Sequence, residues 1–222
     1  MKSSVRRYSA VELLITLGLL TVVAPFVDDL PHGEVIVSGL VALTLLAAVL
    51  AIGERRWILV VASYLGLQLM ISRLVSHLHP ELLSPAVTYI SALAFSGFVL
   101  ANLLRFVLRA PQVTTEVLCA GLATYLLLGL SWSAAYLLVA HCQPDAFSFN
   151  AVVVPSRTLQ PYDAFYFSLL TLTTAGYGDI TPVSRVARML ATLEAIVGVF
   201  YVAVLIARLV ALYSAPPKSE SR

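Results

Sequence analysis

The apolar residues of this chain fall in long runs separated by short polar clusters, and that spacing limits its fold more than any other feature. A helix rises 1.5 Å per residue, so a run of about 20 apolar residues reaches across the hydrocarbon core of a bilayer. Six such runs predict six transmembrane helices: Ala10–Val27, Val35–Ile52, Trp57–Val75, Pro85–Leu108, Thr114–Ala140 and Val183–Tyr213. Composition agrees, because only 12% of the 222 residues are charged and 59% are hydrophobic. A soluble domain of this size carries about a quarter charged residues. The fold class expected is therefore an all-α membrane protein.

One apolar stretch does not fit the series. Pro161 to Thr174 lies between the fifth and sixth runs, behind a polar, turn-rich segment, His141 to Gln160, that contains Pro144, Asn150 and Pro155. As a helix it reaches only about 21 Å, too short to cross. It predicts a re-entrant helix that enters and leaves on one side. Pro161 suits the first helical position, and Asp163 suits the positive end of the helix dipole.

Lysine and arginine set the orientation. With the N-terminus inside, Lys2, Arg6, Arg7, Arg55, Arg56, Arg105, Arg109, Arg208, Lys218 and Arg222 all fall on the cytoplasmic side. Asp28, Asp29, Glu34, Glu81, Asp145 and Asp179 fall on the other, with Arg73, Arg157, Arg185 and Arg188 as exceptions. Both termini are expected in the cytoplasm, and the re-entrant segment enters from outside. Lys2, Arg6 and Arg7 before an apolar run also suit a signal peptide, but Pro25 after Ala24 disfavours cleavage, so the run is read as a retained span. The tail 214–222 is polar and short, expected to be disordered and too small for a regulatory domain. Cys119 and Cys142 are about 34 Å apart along a continuous helix, which rules out a bridge within one chain. They are free thiols, or Cys142 bridges neighbouring subunits.

After the re-entrant helix comes Thr174-Ala175-Gly176-Tyr177-Gly178-Asp179. A cation that leaves water must exchange its hydration oxygens for others, and backbone carbonyls can supply them. Successive carbonyls face one way only where residues take backbone angles closed to ordinary side chains, which glycine permits at Gly176 and Gly178. Thr174 adds a hydroxyl oxygen at the inner end, and Tyr177 is expected to point away and brace the strand. The negative end of the re-entrant helix, near Thr173, favours a cation.

The run Phe165-Tyr166-Phe167-Ser168-Leu169-Leu170-Thr171-Leu172-Thr173-Thr174-Ala175-Gly176-Tyr177-Gly178-Asp179 resembles the pore helix and signature sequence of potassium channels. The likeness continues through Thr181-Pro182-Val183 and Arg188 to Gly198, and covers roughly residues 114–213. It implies a tetrameric pore, one filter strand per chain, in which residues 174 to 178 bind K+ passively and no cofactor is needed. It makes Asp179 the anchor of the outer mouth and Gly198 a bending point of the last helix. By spacing from Gly198, Val199, Val202 and Ile206 are candidates to line the inner pore. Residues 1–110 become a four-helix membrane domain, resembling a sensor only in span count, and 111–213 the pore domain. The plasma membrane is the expected location, and the chain's partners are its own copies and lipid, not nucleic acid. Whether accessory subunits join it is left open.

Three departures from the family pattern bear on function. Ala175 stands where valine is usual, which implies a looser filter with weaker selectivity or altered inactivation. Tyr166 and Phe167 stand where many relatives have tryptophans; Tyr166 keeps a hydroxyl, whereas Phe167 cannot donate a hydrogen bond. The fourth span offers only Arg105 and Arg109, near one end, so weak voltage dependence is expected. Within the last span, Glu194 shares a helical face with Gly198 and is expected behind the filter, bonded to Thr171 or its neighbours. Arg73 is expected to pair with a carboxylate such as Asp28 or Asp29, or to snorkel; Glu12 is interfacial; His77 and His79 sit on a loop. A poorly selective cation channel, a transporter subunit and a non-conducting accessory protein are the competing readings. Ser168 has no base beside it and the histidines do not cluster, so nothing points to an enzyme.

Overall fold

The computed structural model describes residues 9–27, 33–51, 56–79, 81–150 and 158–213. Among the described residues seven α-helices carry the fold: α1 Ser9–Val27, α2 Gly33–Ala51, α3 Arg56–Leu78, α4 Pro85–Arg109, α5 Thr115–Cys142, α6 Pro161–Leu172 and α7 Arg185–Tyr213. Among the described residues, five helices (α1, α3, α4, α5 and α7) are long and apolar enough to cross a membrane. In α2 the apolar stretch is shorter, Ile36–Ala51. The expected disorder of 214–222 falls outside the described residues, as do Asp28, Asp29 and Arg157.

Helix ends follow local chemistry. The Ser84 hydroxyl accepts from the Ala86 N–H at the start of α4, where Pro85 fills the first position. The Thr114 hydroxyl does the same for α5, accepting from Val117 N at 3.4 Å. The fifth helix outruns its apolar pattern and ends at Cys142, so this cysteine closes α5 instead of starting the next loop.

The segment between α5 and α6 is not wholly irregular, which corrects the all-α expectation. After a 3-10 turn at Pro144–Ala146, strand β1 (Phe147–Phe149) pairs antiparallel with β2 (Ile180–Pro182). The register sets Phe147 opposite Pro182, Ser148 opposite Thr181 and Phe149 opposite Ile180. Three residues a side are too few to announce a strand, and the partner strand lies beyond the re-entrant helix in sequence.

Two apolar clusters hold the molecule. One joins α1, α2, α4 and α5 through Leu13, Leu17, Leu45, Phe95, Val99 and Leu127. The first four helices and α5 thus share a core, reinforced where Ser96 of α4 donates to Ser131 of α5 at 3.0 Å. The second gathers Tyr136 and Leu137 of α5, Phe147 of β1, Phe167 of α6, Ile180 of β2 and Ala187 of α7. It seats α6 and the ribbon against α5. By contrast, α7 leaves most of its apolar surface uncovered by its own chain.

Candidate functional site

The site begins at the N-terminus of α6. Asp163 is buried, and its carboxylate accepts from the Gln160 N–H at 3.2 Å, closing the first turn as the dipole requires. The helix ends two residues before the expected Thr174. The Leu170 carbonyl then accepts from both Ala175 N (2.9 Å) and Gly176 N (3.4 Å), and the chain turns out of the helix.

From there the backbone alternates. Thr174, Gly176 and Gly178 have φ of +56°, +48° and +79°, while Ala175 and Tyr177 between them do not. The two glycines fit this at little cost. Thr174 does not: a β-branched residue in the left-handed region is strained, and such strain gathers at functional sites. Every residue from Thr173 to Asp179 is exposed on the single chain, Tyr177 by 75%.

Past Asp179 the chain is held by the ribbon. Asn150 N donates to the Asp179 carbonyl at 2.8 Å, and the Asn150 side-chain amide donates to the Gly178 carbonyl at 2.5 Å. Val183 N donates to Ala146 O at 2.8 Å. On the other side, the Tyr166 hydroxyl faces the Asp179 carboxylate. Phe167 points elsewhere, packing edge-on against Tyr136 at 5.0 Å and Phe147 at 5.6 Å. Its contacts fix α6 against α5 and the ribbon.

Behind α6 lies Glu194, with no exposed surface. Its two carboxylate oxygens accept from the hydroxyls of Tyr136 on α5 and Ser168 on α6. The Ser168 oxygen also lies 2.9 Å from the Gly129 carbonyl, an alternative acceptor for its one proton, and the buried carboxylate ties α5, α6 and α7 together. The sequence placed Glu194 against α6, but its partner is Ser168, one turn earlier than Thr171, whose hydroxyl bonds the Phe167 carbonyl of its own helix at 2.8 Å. Tyr136 was missed. Its signal was a phenol inside an apolar run, which must find a hydrogen-bond partner once buried.

Gly198 is pressed against the last residue of α6. A Cβ built there would stand 3.0 Å from Leu172 Cα and 3.1 Å from its carbonyl carbon, with the carbonyl oxygen nearer still. Below it, Tyr201 Oη donates to the Gly121 carbonyl of α5 at 2.6 Å, and Arg208 Nη2 donates to Ala110 O, past the end of α4, at 2.9 Å. Val199, Val202 and Ile206 are exposed on the single chain. Arg73 is half-buried, Glu12 and His79 are exposed, and the cysteines are free.

Two long helices thus bracket a short helix and an irregular, glycine-bearing segment, an arrangement compatible with a membrane channel. Residues 113–215 match the family model described as ion channel. The chain is 30% identical over 106 residues to the inward rectifier potassium channel Kirbac3.1 of Paramagnetospirillum magnetotacticum, covering 48% of this chain and 31% of that one. It is 38% identical over 78 residues to two pore potassium channel b of Oryza sativa subsp. japonica, covering 35% and 19%. The matches span only about a third and a fifth of those relatives' lengths. No solved structure gives a significant match. Residues 113–215 are thus similar to ion channels, and to two potassium channels in particular.

Proposed function

We propose that the chain is one subunit of a tetrameric channel that conducts K+ passively across the plasma membrane, with six spans and both termini in the cytoplasm. The observation that carries this reading is the alternation of backbone sign at Thr174, Gly176 and Gly178 in an exposed strand. Alternating conformations turn successive carbonyls to the same side, where they replace water around a dehydrated cation. Residues 174 to 178 supply the ligands and the Thr174 hydroxyl the innermost one.

One strand cannot surround an ion. The filter residues and the apolar face of α7 are uncovered on a single chain, and four copies about an axis cover both. Extended backbone at membrane depth is tolerated only where protein or water meets it, and the same assembly meets that condition. Val199, Val202 and Ile206 then line the inner pore, where an apolar ring closes by dewetting. Gly198 remains the candidate bending point. Residues 1–110 form the four-helix domain and 111–213 the pore domain.

The test is flux and single-channel recording from liposomes that hold only this protein. K+ flux well above Na+ flux is expected, with a shallow conductance–voltage curve, since Arg105 and Arg109 are the charges of α4 and both lie near its end. Absence of flux sinks the reading, equal K+ and Na+ flux makes it a non-selective cation channel, and a steep curve makes α4 a sensor.

Ala175 gives a finer expectation. Ala175→Val restores two methyl groups beside the ion path and should raise the K+ over Na+ permeability ratio or slow inactivation by a few fold. Reversal potentials in mixed ions measure the first and current decay the second. If neither moves, neighbouring side chains already fill the space.

A further inference from the structure

The filter's outer end has a hold that its own sequence does not supply. Residues 175–177 carry no regular secondary structure, so the direction of their carbonyls depends on what grips the ends. The inner end is gripped by the Leu170 carbonyl, which takes two N–H groups. At the outer end, Asn150 stands next to Phe149, whose partner Ile180 is the first residue after Asp179 in the ribbon. Its main-chain N–H takes the Asp179 carbonyl, and its side-chain amide takes the Gly178 carbonyl at 2.5 Å.

We propose that Asn150 is a positioning residue of the filter: its amide fixes the Gly178 carbonyl, and with it the outer end of the ion path. The inference deepens the channel reading and rests on it. A carbonyl oxygen has two lone pairs, so Gly178 can accept from Asn150 and still turn toward a cation. Gly178 sits at φ +79°, where a glycine backbone turns freely, so an external donor restrains it. The hold is transmitted to the scaffold, because β1 is anchored through Phe147 on the rings of Tyr136 and Phe167, each at 5.6 Å. The Tyr166 hydroxyl faces the Asp179 carboxylate from the α6 side.

Three full-length forms test this: wild type, Asn150→Leu, which keeps bulk and loses the donor, and Asn150→Gln, which keeps an amide on a longer stem. Asn150 is exposed and its main-chain bond survives each change, so folding is not at stake. In reconstituted bilayers, Asn150→Leu should inactivate about three- to tenfold more completely, the factor expected for one lost hydrogen bond. External K+ should slow that decay. Asn150→Gln should recover part of the loss, which mere packing would not predict. A second readout is the rise in unfolding temperature when K+ replaces N-methylglucamine, which reports ion occupancy; it should shrink in Asn150→Leu. If wild type conducts and Asn150→Leu matches it within twofold in both readouts, the role of Asn150 is overturned and the channel reading stands. If wild type neither conducts nor gains stability from K+, the channel reading is overturned and the inference falls with it.

Discussion

Glu194→Ala should lower the unfolding temperature of the purified protein by several degrees, about 10 °C at the upper end, and abolish K+ flux. The carboxylate has no exposed surface and accepts hydroxyls from two other helices. Ser168 keeps a second acceptor in the Gly129 carbonyl, but the Tyr136 hydroxyl, equally buried, is left without one. An orphaned buried hydroxyl costs about 1–3 kcal/mol, and the space vacated by the side chain adds a cavity term. For a chain of this size each kcal/mol lowers the midpoint by about 2–4 °C. Glu194→Gln keeps the volume and one carbonyl acceptor, so it should lose roughly half as much. Thermal unfolding of the three forms in one detergent decides the matter. Equal midpoints would mean that Tyr136 and Ser168 do not depend on Glu194. A cycle with Tyr136→Phe then isolates the pair, because the coupling should vanish once either partner is gone.

Gly198→Val should reduce K+ flux at least tenfold and damage selectivity as well. The α7 backbone here lies against Leu172, and any Cβ meets its main chain at 3.0–3.1 Å or less. Those atoms are backbone, not the free end of a side chain, so relief requires the end of α6 to move. Thr173 and the proposed filter follow Leu172 directly, and a shift of this kind reaches the proposed ion path. Gly198→Ala should show the same defect in milder form. The bending role implied by resemblance predicts something else: an altered open probability with selectivity intact. Reversal potentials therefore separate the two. Unchanged selectivity in Gly198→Val would refute the contact account and leave bending. The hydrogen bonds below, from Tyr201 to Gly121 and Arg208 to Ala110, also restrain the inner half of α7 on α5 and the end of α4.

Much of this architecture was legible in the chain itself because its signals are local. Apolar runs of about 20 residues report helices long enough to cross lipid, whatever they pack against. The short run from Pro161, with Asp163 in its first turn, reports a helix that cannot cross. Alternating glycines report a backbone that needs angles other residues avoid, so Gly176 and Gly178 could be named before any coordinates. The features that only the tertiary structure decided are those set by distant partners. Thr174 joins the glycines at positive φ, although threonine has no local preference for that region. Strand β1 exists because residues beyond α6 return to pair with it. Tyr136, 58 positions from Glu194, and Asn150, 28 positions from Gly178, gain their roles only where the chain folds back on itself. A hydrogen-bond donor carries no record in sequence of which acceptor it will meet; that is decided by how the helices pack.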